Sequence, residues 1–331
     1  MEPITHIASG ALVGQSLRSR YPGRMILFFC ILAAWIPDID NLAGFVSPEF
    51  YLLFHRGITH SIVGGLGVAA ILAGIFRLFS RNIPFREYFV IAYGCVLLHI
   101  FLDVITSYGT MILSPFTKTR YSIHAVYIVD PIYTPIAAIL LILSFFLKRR
   151  RTAFAIAGLV WIFVYPMTNY AIKGTVERSV TAQLNKQQIA YSKVHVTADM
   201  LAPLYWKVVV ENGGEYGVES LNILHLNGPL KLERFQKADP KLMNKLGKQA
   251  SMFKTYAWFS LYPIMKESNT KEGEKITFGD LRFYVSNPIG KKILNNREMP
   301  FTLIAYLNGK GKLTKYVYFR PGRVAFEQHF Q

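Results

Sequence analysis

The stretch Tyr88 to Ile105, YFVIAYGCVLLHIFLDVI, is long and apolar enough to cross a bilayer as a helix, and yet it carries His99 and Asp103. A spacing of four residues puts both on one helix face, about 6 Å of rise apart. Ionisable groups inside an apolar span are costly, and they face a bundle interior where they find partners and mark function. The plain alternative is a helix-packing pair bonded to a neighbour. What decides between the two is where the other rare polar residues of the apolar half fall.

Over 331 residues, 52% are hydrophobic and 17% charged, too apolar for an ordinary soluble chain of this size. The average hides a division. Up to Lys173 there are 14 Lys plus Arg and 7 Asp plus Glu; from Gly174 onward there are 23 and 13, with no long apolar run. The fold expected is a multi-pass α-helical membrane domain of about 5–6 apolar helices over residues 1–173, followed by a small soluble α+β domain over residues 174–331. The soluble part carries +10 of the net +17. A basic domain beside a bilayer is attracted to anionic membrane lipids. No nucleic-acid-binding module is legible, so no nucleic acid partner is expected. Cys30 and Cys95 lie within apolar runs and give no disulfide framework. The start, MEPITHIASGALVGQSL, has no basic leader and does not read as a cleavable signal.

In chain order, the apolar run Ile4 to Leu17 has His6 near its start, and Met25 to Ile36 stops at Pro37 and delivers Asp38-Ile39-Asp40. Proline cannot continue the helical ladder, so these aspartates belong at a helix end. The block His55-Arg56-Gly57-Ile58-Thr59-His60-Ser61 leads into the run Ile62 to Phe79; after Tyr88 to Ile105 come a loop from Thr106 to Asp130 and the runs Pro131 to Leu147 and Ala153 to Ile172. Basic residues gather between Arg18 and Arg24, between Arg77 and Arg86, and from Lys148 to Arg151. With the runs taken as helices, these three connections share one face, which is then cytoplasmic. The Asp38/Asp40 and His55/His60 connections, the Thr106 to Asp130 loop and the C-terminal domain fall on the extracytoplasmic side. The rise from Met25 to Asp38 is ~20 Å, from Tyr88 to His99 ~17 Å, and from Ser16 back to His6 ~15 Å, so three segments bring candidate ligands to a similar depth. In the C-terminal part, Thr175 to Tyr191 and Pro240 to Ser260 have helical character, and Trp206 to Val210, Ile276 to Val285, Phe301 to Leu307 and Leu313 to Phe319 read as strands. His195, His225 and His329 are scattered there and read as structural or solvated.

The polar set of the apolar half is His6, Asp38, Asp40, His55, His60, His99 and Asp103, with His124 and Asp130 behind it. Taken singly, His6 reads as a cap, Asp38 with Asp40 as a turn, and His55 with Arg56 and His60 as a headgroup contact. Converging in depth and on one side, they read as a metal site with His6, Asp38, Asp40, His60, His99 and Asp103 as ligands. Mixed imidazole and carboxylate donors suit Zn²⁺, with Mn²⁺ or Fe²⁺ as alternatives, and carboxylates allow one or two ions.

The ordered blocks Thr5-His6 with Gly10, Pro37-Asp38-Ile39-Asp40, His55 to Ser61, His99-Ile100-Phe101-Leu102-Asp103 and Asp130-Pro131 resemble the YdjM/YbcI family of inner-membrane metal-dependent hydrolases over about the first 170 residues. The resemblance implies a bacterial cell membrane location and a divalent metal. A weaker likeness is to the all-helical zinc-dependent phospholipase C and nuclease group, in which His6, Asp38 or Asp40, His60 and the His99/Asp103 pair would take the ligand roles; the later His and His-x-x-x-Glu elements of that group have no clear counterpart here. The function expected is metal-dependent hydrolysis of a phospholipid, lipid-linked phosphate or other ester at the outer leaflet, with Arg56 steadying the anionic group and His55 or Asp40 as general base. The alternative is a non-enzymatic membrane protein using the same cluster as a structural metal site or sensor. No repeat of the spans supports a transporter.

Overall fold

The computed structural model describes residues 1–226, 228–270, 273–294, 299–320 and 323–330. Helices α1 (Pro3–Leu17), α2 (Met25–Trp35), α3 (Ala43–Val46), α4 (Pro48–Phe54), α5 (Ile62–Phe79), α6 (Phe85–Val104), α7 (Tyr133–Phe146) and α8 (Arg151–Lys186) precede the first strand. Strands β1 (Lys193–Ala198), β2 (Tyr205–Asn212), β3 (Glu215–Asn222) and β4 (Glu233–Gln236) are followed by α9 (Pro240–Gly247) and α10 (Ser251–Phe259). The chain then continues through β5 (Pro263–Thr270), β6 (Gly273–Asp280), α11 (Pro288–Leu294), β7 (Leu303–Leu307), β8 (Leu313–Arg320) and β9 (Arg323–His329). It divides into two compact units. One holds residues 1–42, 54–173 and 200–203; the other holds 43–53, 174–199 and 204–331.

The first unit is a helical bundle. Four helical stretches are long and apolar enough to cross a membrane: Met25–Val46, Ile62–Phe79, Phe85–Val104 and Lys148–Lys186. This corrects the expected count of about 5–6. α1 has 15 residues and α7 has 14, so at 1.5 Å per residue each spans only about 22 Å against a hydrocarbon core of about 30 Å. The first span is not one continuous α-helix: α2 tightens into a 3₁₀ stretch over Ile36–Leu42 that contains Pro37. The run Ala153 to Ile172 does not end before the soluble part, because α8 continues for 36 residues with Pro166 inside it, absorbing most of the helix expected at Thr175 to Tyr191.

Each span buries one stripe. On α5 the buried positions are Gly65, Ala69, Leu72, Ala73 and Phe76, while Ile71, Ile75 and Leu78 on the opposite side are exposed. α5 packs on α6 and α2 on α6 around Phe29, Cys30, Ala69, Tyr88 and Cys95. α1 packs on α2 through Gly10 and Gly14, in the small-xxx-small spacing that lets helix backbones approach in membranes. A Cβ at Gly10 would lie 2.4 Å from the Cys30 carbonyl oxygen, and one at Gly14 would lie 2.8 Å from the Leu27 Cα. α1 starts at Pro3 with Glu2 as its cap, whose carboxylate accepts from the Thr5 N–H at 2.8 Å. α5 starts where the Ser61 hydroxyl accepts from the Gly64 N–H at 2.9 Å. That cap also ends the His55 to Ser61 block.

The second unit is built on two antiparallel meanders, β1-β2-β3-β4 and β5-β6-β7-β8-β9. The β2–β3 hairpin turns at Gly213 and Gly214, where Gly213 has φ +53°. A bridge between Lys237 and Ile264 continues the first sheet toward the second. The helix expected over Pro240 to Ser260 is two, α9 and α10, and the strand expected over Ile276 to Val285 stops at Asp280. The stop has a cause. Asp280 is fully buried, and its carboxylate accepts from the N–H groups of Leu261, Tyr262 and Arg282 and from the Arg282 Nε at 2.8 Å, turning the chain back on itself. Arg282 also donates to the Phe259 carbonyl at 2.6 Å and lies over the Phe259 ring.

Removing one partner of such a buried pair leaves an uncompensated charge. Arg282→Ala is therefore expected to lower the stability of this unit by about 3–5 kcal/mol, read as a lowered denaturant midpoint of the solubilised chain. Glu327→Ala, which removes the exposed partner of Lys315, should leave the midpoint nearly unchanged. Equal effects would show that the Arg282 pair carries no special weight.

Candidate metal centre

α6 supplies the two groups that begin the site. His99 and Asp103 are both fully buried, one turn apart, with His99 Nε2 3.5 Å from Asp103 Oδ2. The His99 Nδ1–H donates to the backbone carbonyl of Ala34 on α2 at 2.7 Å. A carbonyl can only accept, so this bond fixes the tautomer and leaves the lone pair on Nε2. His60 is held the same way. Its Nδ1 lies 3.0 Å from the Thr59 hydroxyl, whose own proton goes to Asp40 Oδ2, so the Thr59 oxygen accepts from Nδ1–H and the lone pair is on Nε2.

These two Nε2 atoms are 2.9 Å apart. With both tautomers set by their outer bonds, two lone pairs face one another in a buried space, an arrangement that a cation relieves. Asp38 Oδ1 lies 3.5 Å from His60 Nε2 and 3.9 Å from His99 Nε2; Asp103 Oδ2 lies 3.2 Å from His60 Nε2. His6 on α1 stacks on His99 with ring centroids 3.7 Å apart and has its Nε2 3.4 Å from Asp103 Oδ1. Neither ring nitrogen of His6, nor Asp103 Oδ2, has a hydrogen-bond partner of good geometry among the described residues. Orphaned buried donors of this kind are what a metal ligand set looks like without its ion. Three triads have donor atoms within 4.8 Å of one another: His6, Asp38 and His99; His60, His99 and Asp103; and Asp38, Asp40 and His55.

The remaining expected residues surround this set. Asp40 is fully engaged. Its Oδ1 is 2.8 Å from His55 Nδ1, and its Oδ2 accepts from the Arg56 N–H at 2.8 Å and the Thr59 hydroxyl at 3.1 Å as well as facing His60. That places Asp40 where a carboxylate orients imidazoles. Arg56 is buried, with its guanidinium on Asp103 Oδ1 at 2.8 Å, on the Thr106 hydroxyl at 3.2 Å and over the Tyr108 ring. Its backbone is left-handed at φ +59°, which turns its N–H toward Asp40. Strain of this sort accumulates at functional sites. The Met1 ammonium also bonds Asp103.

His124 and Asp130 are not brought into any of the triads. Asp130 caps α7, accepting from the N–H groups of Ile132 and Tyr133 at 2.9 and 2.8 Å, and takes the Tyr165 hydroxyl. Sequence reasoning missed Thr59, Thr106, Tyr108 and the Ala34 carbonyl. Thr59 lies inside the His55 to Ser61 block and was open to inspection, whereas a backbone carbonyl leaves no sequence signal.

A protein of Bacillus subtilis (strain 168), "Uncharacterized protein YfhP", is 29% identical over 106 residues, 32% of this chain and 32% of that one, so the match spans about a third of the relative's length. No solved structure matches. The family model of the YdjM inner membrane protein matches residues 1–176. With more than half of its residues matched by that model and four apolar helices of membrane-crossing length, the chain is a membrane protein that belongs to the YdjM inner membrane protein family.

Proposed function

We propose that this chain is an integral membrane metal-dependent hydrolase acting on a phospholipid, lipid-linked phosphate or other ester. The reading rests on one observation, the two histidines locked into Nδ1–H tautomers whose Nε2 atoms converge at 2.9 Å beside Asp38 and Asp103. A donor set of imidazoles and carboxylates fits Zn²⁺, with Mn²⁺ or Fe²⁺ as alternatives. His60, His99, Asp38 and Asp103 would hold one ion, and His6 extends the set toward a second. A divalent ion bound there supplies Lewis acidity, lowering the pKa of water and stabilising charge on an acyl or phosphoryl centre.

The chain's own residues do the rest. Asp40 holds the Nδ1–H of His55 and leaves Nε2 as the nitrogen able to take a proton, the pairing a general base needs. Asp40 serves as its orienting carboxylate. Arg56 fixes Asp103 and offsets the negative charge of the three aspartates, which is the role its burial supports in place of direct substrate contact. With four spans, the basic connections between Arg18 and Arg24 and between Arg77 and Arg86 lie on one face and support an orientation with the site toward the extracytoplasmic side.

A second reading has an observation in its favour. His6, His60 and His99 are all fully buried, as structural ligands are, so the same cluster would serve as a metal clamp or sensor. The deciding experiment is metal analysis of the purified protein together with turnover of anionic phospholipid in mixed micelles. About one to two transition-metal ions per chain and chelator-sensitive turnover are expected. Stoichiometric metal with no turnover on lipid or soluble esters would favour the clamp.

A further inference from the structure

Two stretches that carry site residues, 36–42 and 54–61, combine inward polar groups with outward apolar ones. Ile39 separates Asp38 from Asp40, Phe54 precedes His55, and Ile58 lies between His55 and His60; all three apolar side chains are exposed, Ile39 to 51%. Leu42, beyond the exposed Asn41, is exposed as well. A third stretch, 111–117 in the long loop after α6, carries no ligand, and in it Leu113 is exposed and Phe116 is 80% exposed.

Hydrogen bonds tie the three into one collar. The Arg56 N–H donates to Asp40 Oδ2, the Met111 N–H to the Arg56 carbonyl at 3.0 Å, and the Ile62 N–H to the Ile112 carbonyl at 3.0 Å. The ionisable groups of residues 36–42, 54–61 and 111–117 are Asp38, Asp40, His55, Arg56 and His60, and each is spent within the site. None of these groups is left on the outer surface of the three segments, and the next charge along the chain is the exposed Lys118. A rim that met water-soluble substrates would be polar, and isolated exposed apolar residues are ordinary, but six exposed apolar residues on three hydrogen-bonded segments beside a buried polar site are not.

What covers it follows from continuity with the spans. Ile39 and Leu42 belong to the apolar stretch Met25–Val46, and the collar runs directly into the span that begins at Ile62. We infer that this collar of Ile39, Leu42, Phe54, Ile58, Leu113 and Phe116 is seated in the lipid of the bilayer, so that the site opens to membrane-resident amphiphiles. The surface is independent of the chemistry. Its consequence for substrate rests on the hydrolase reading, and it narrows the substrate to a molecule that presents a polar ester from an apolar tail.

The test begins with a surface measurement. Phe116→Cys is labelled with an environment-sensitive fluorophore in the full chain, in phosphatidylcholine nanodiscs containing lipids brominated high on the acyl chain; Cys30 and Cys95 are fully buried. Ile71→Cys on the exposed side of α5 and Lys310→Cys in the soluble unit serve as lipid-exposed and water-exposed references. Quenching at Phe116 of at least half that at Ile71 is expected. Quenching no greater than at Lys310 overturns the inference, and so does a water-shielded label that brominated lipid does not quench, the sign of a second copy or protein partner on this face.

The second measurement uses Leu113→Asp with Phe116→Asp. Their KM for long-chain phosphatidylglycerol should rise at least tenfold, with metal content and turnover of the water-soluble short-chain form unchanged. An equal effect on both substrates overturns the access role of the collar. If neither substrate is turned over by the parent protein while quenching is strong, the hydrolase reading falls and the lipid-seated collar stands.

Discussion

Alanine at His60 or at His99 should reduce metal-dependent turnover at least about a thousandfold, equivalent to about 4 kcal/mol of transition-state stabilisation. Each residue contributes the Nε2 atom that faces the other at 2.9 Å, and each lies within 3.5 Å of the Asp103 Oδ2. Taking away one imidazole removes half of the nitrogen donors at the point of convergence and with them the basis for holding a divalent ion. Metal content measured on the same preparations should fall with activity. Asp40→Asn should behave differently, because Asp40 orients His55 and His60 from outside the point of convergence. A loss of about 10–100-fold is the range for outer partners of ligands. Full metal stoichiometry in His99→Ala would remove that residue from the ligand set. Loss of the folded bundle in both alanine variants, with no turnover in the parent, would favour the clamp.

Much of this site was legible because membrane spans make polar residues conspicuous. His99 and Asp103 stand out in Tyr88 to Ile105, and His6, Asp38, Asp40, His55 and His60 from the earlier blocks are gathered around them, whereas Asp130 is not. The roles within the cluster were less legible. Asp40 reads as a ligand from spacing alone, but its engagement with His55, Arg56 and Thr59 depends on the left-handed turn at Arg56, which no periodicity reveals. Asp130 sits beside a proline at a helix start, and capping accounts for it. Span counting failed where apolar runs are short: α1 and α7 are as apolar as spans yet lack the length. In the soluble part the strands that were read, such as Trp206 to Val210, are the buried ones rich in β-branched residues, whereas β1, β4 and β9 are short or mixed in character. The carbonyl of Ala34, which fixes the His99 tautomer, could be found only once α2 and α6 were placed together.

Gly10→Leu should disable the site without touching a ligand. Gly10 lies one turn after His6 on α1, at the point where α1 meets α2 most closely. A Cβ there would meet the Cys30 carbonyl oxygen at 2.4 Å and the Ala34 Cβ at 2.7 Å, and the first of these contacts is backbone that cannot rotate away. A leucine side chain therefore has to push α1 off α2. Overpacking of this kind costs typically about 1–3 kcal/mol, and in a membrane helix pair close backbone approach is itself part of what holds the helices together. Two parts of the site ride on this contact: His6, through α1, and the Ala34 carbonyl that orients His99, through α2. The expected result is a lowered thermal midpoint in detergent together with metal content reduced by at least half. Gly67→Leu is the control, since a Cβ at Gly67 on the exposed side of α5 meets nothing within 4 Å and the substitution should leave both quantities unchanged. If Gly10→Leu keeps the parent's midpoint and metal content, the α1–α2 contact does not set the geometry of the cluster, and His6 would have to be held by its stacking on His99 alone.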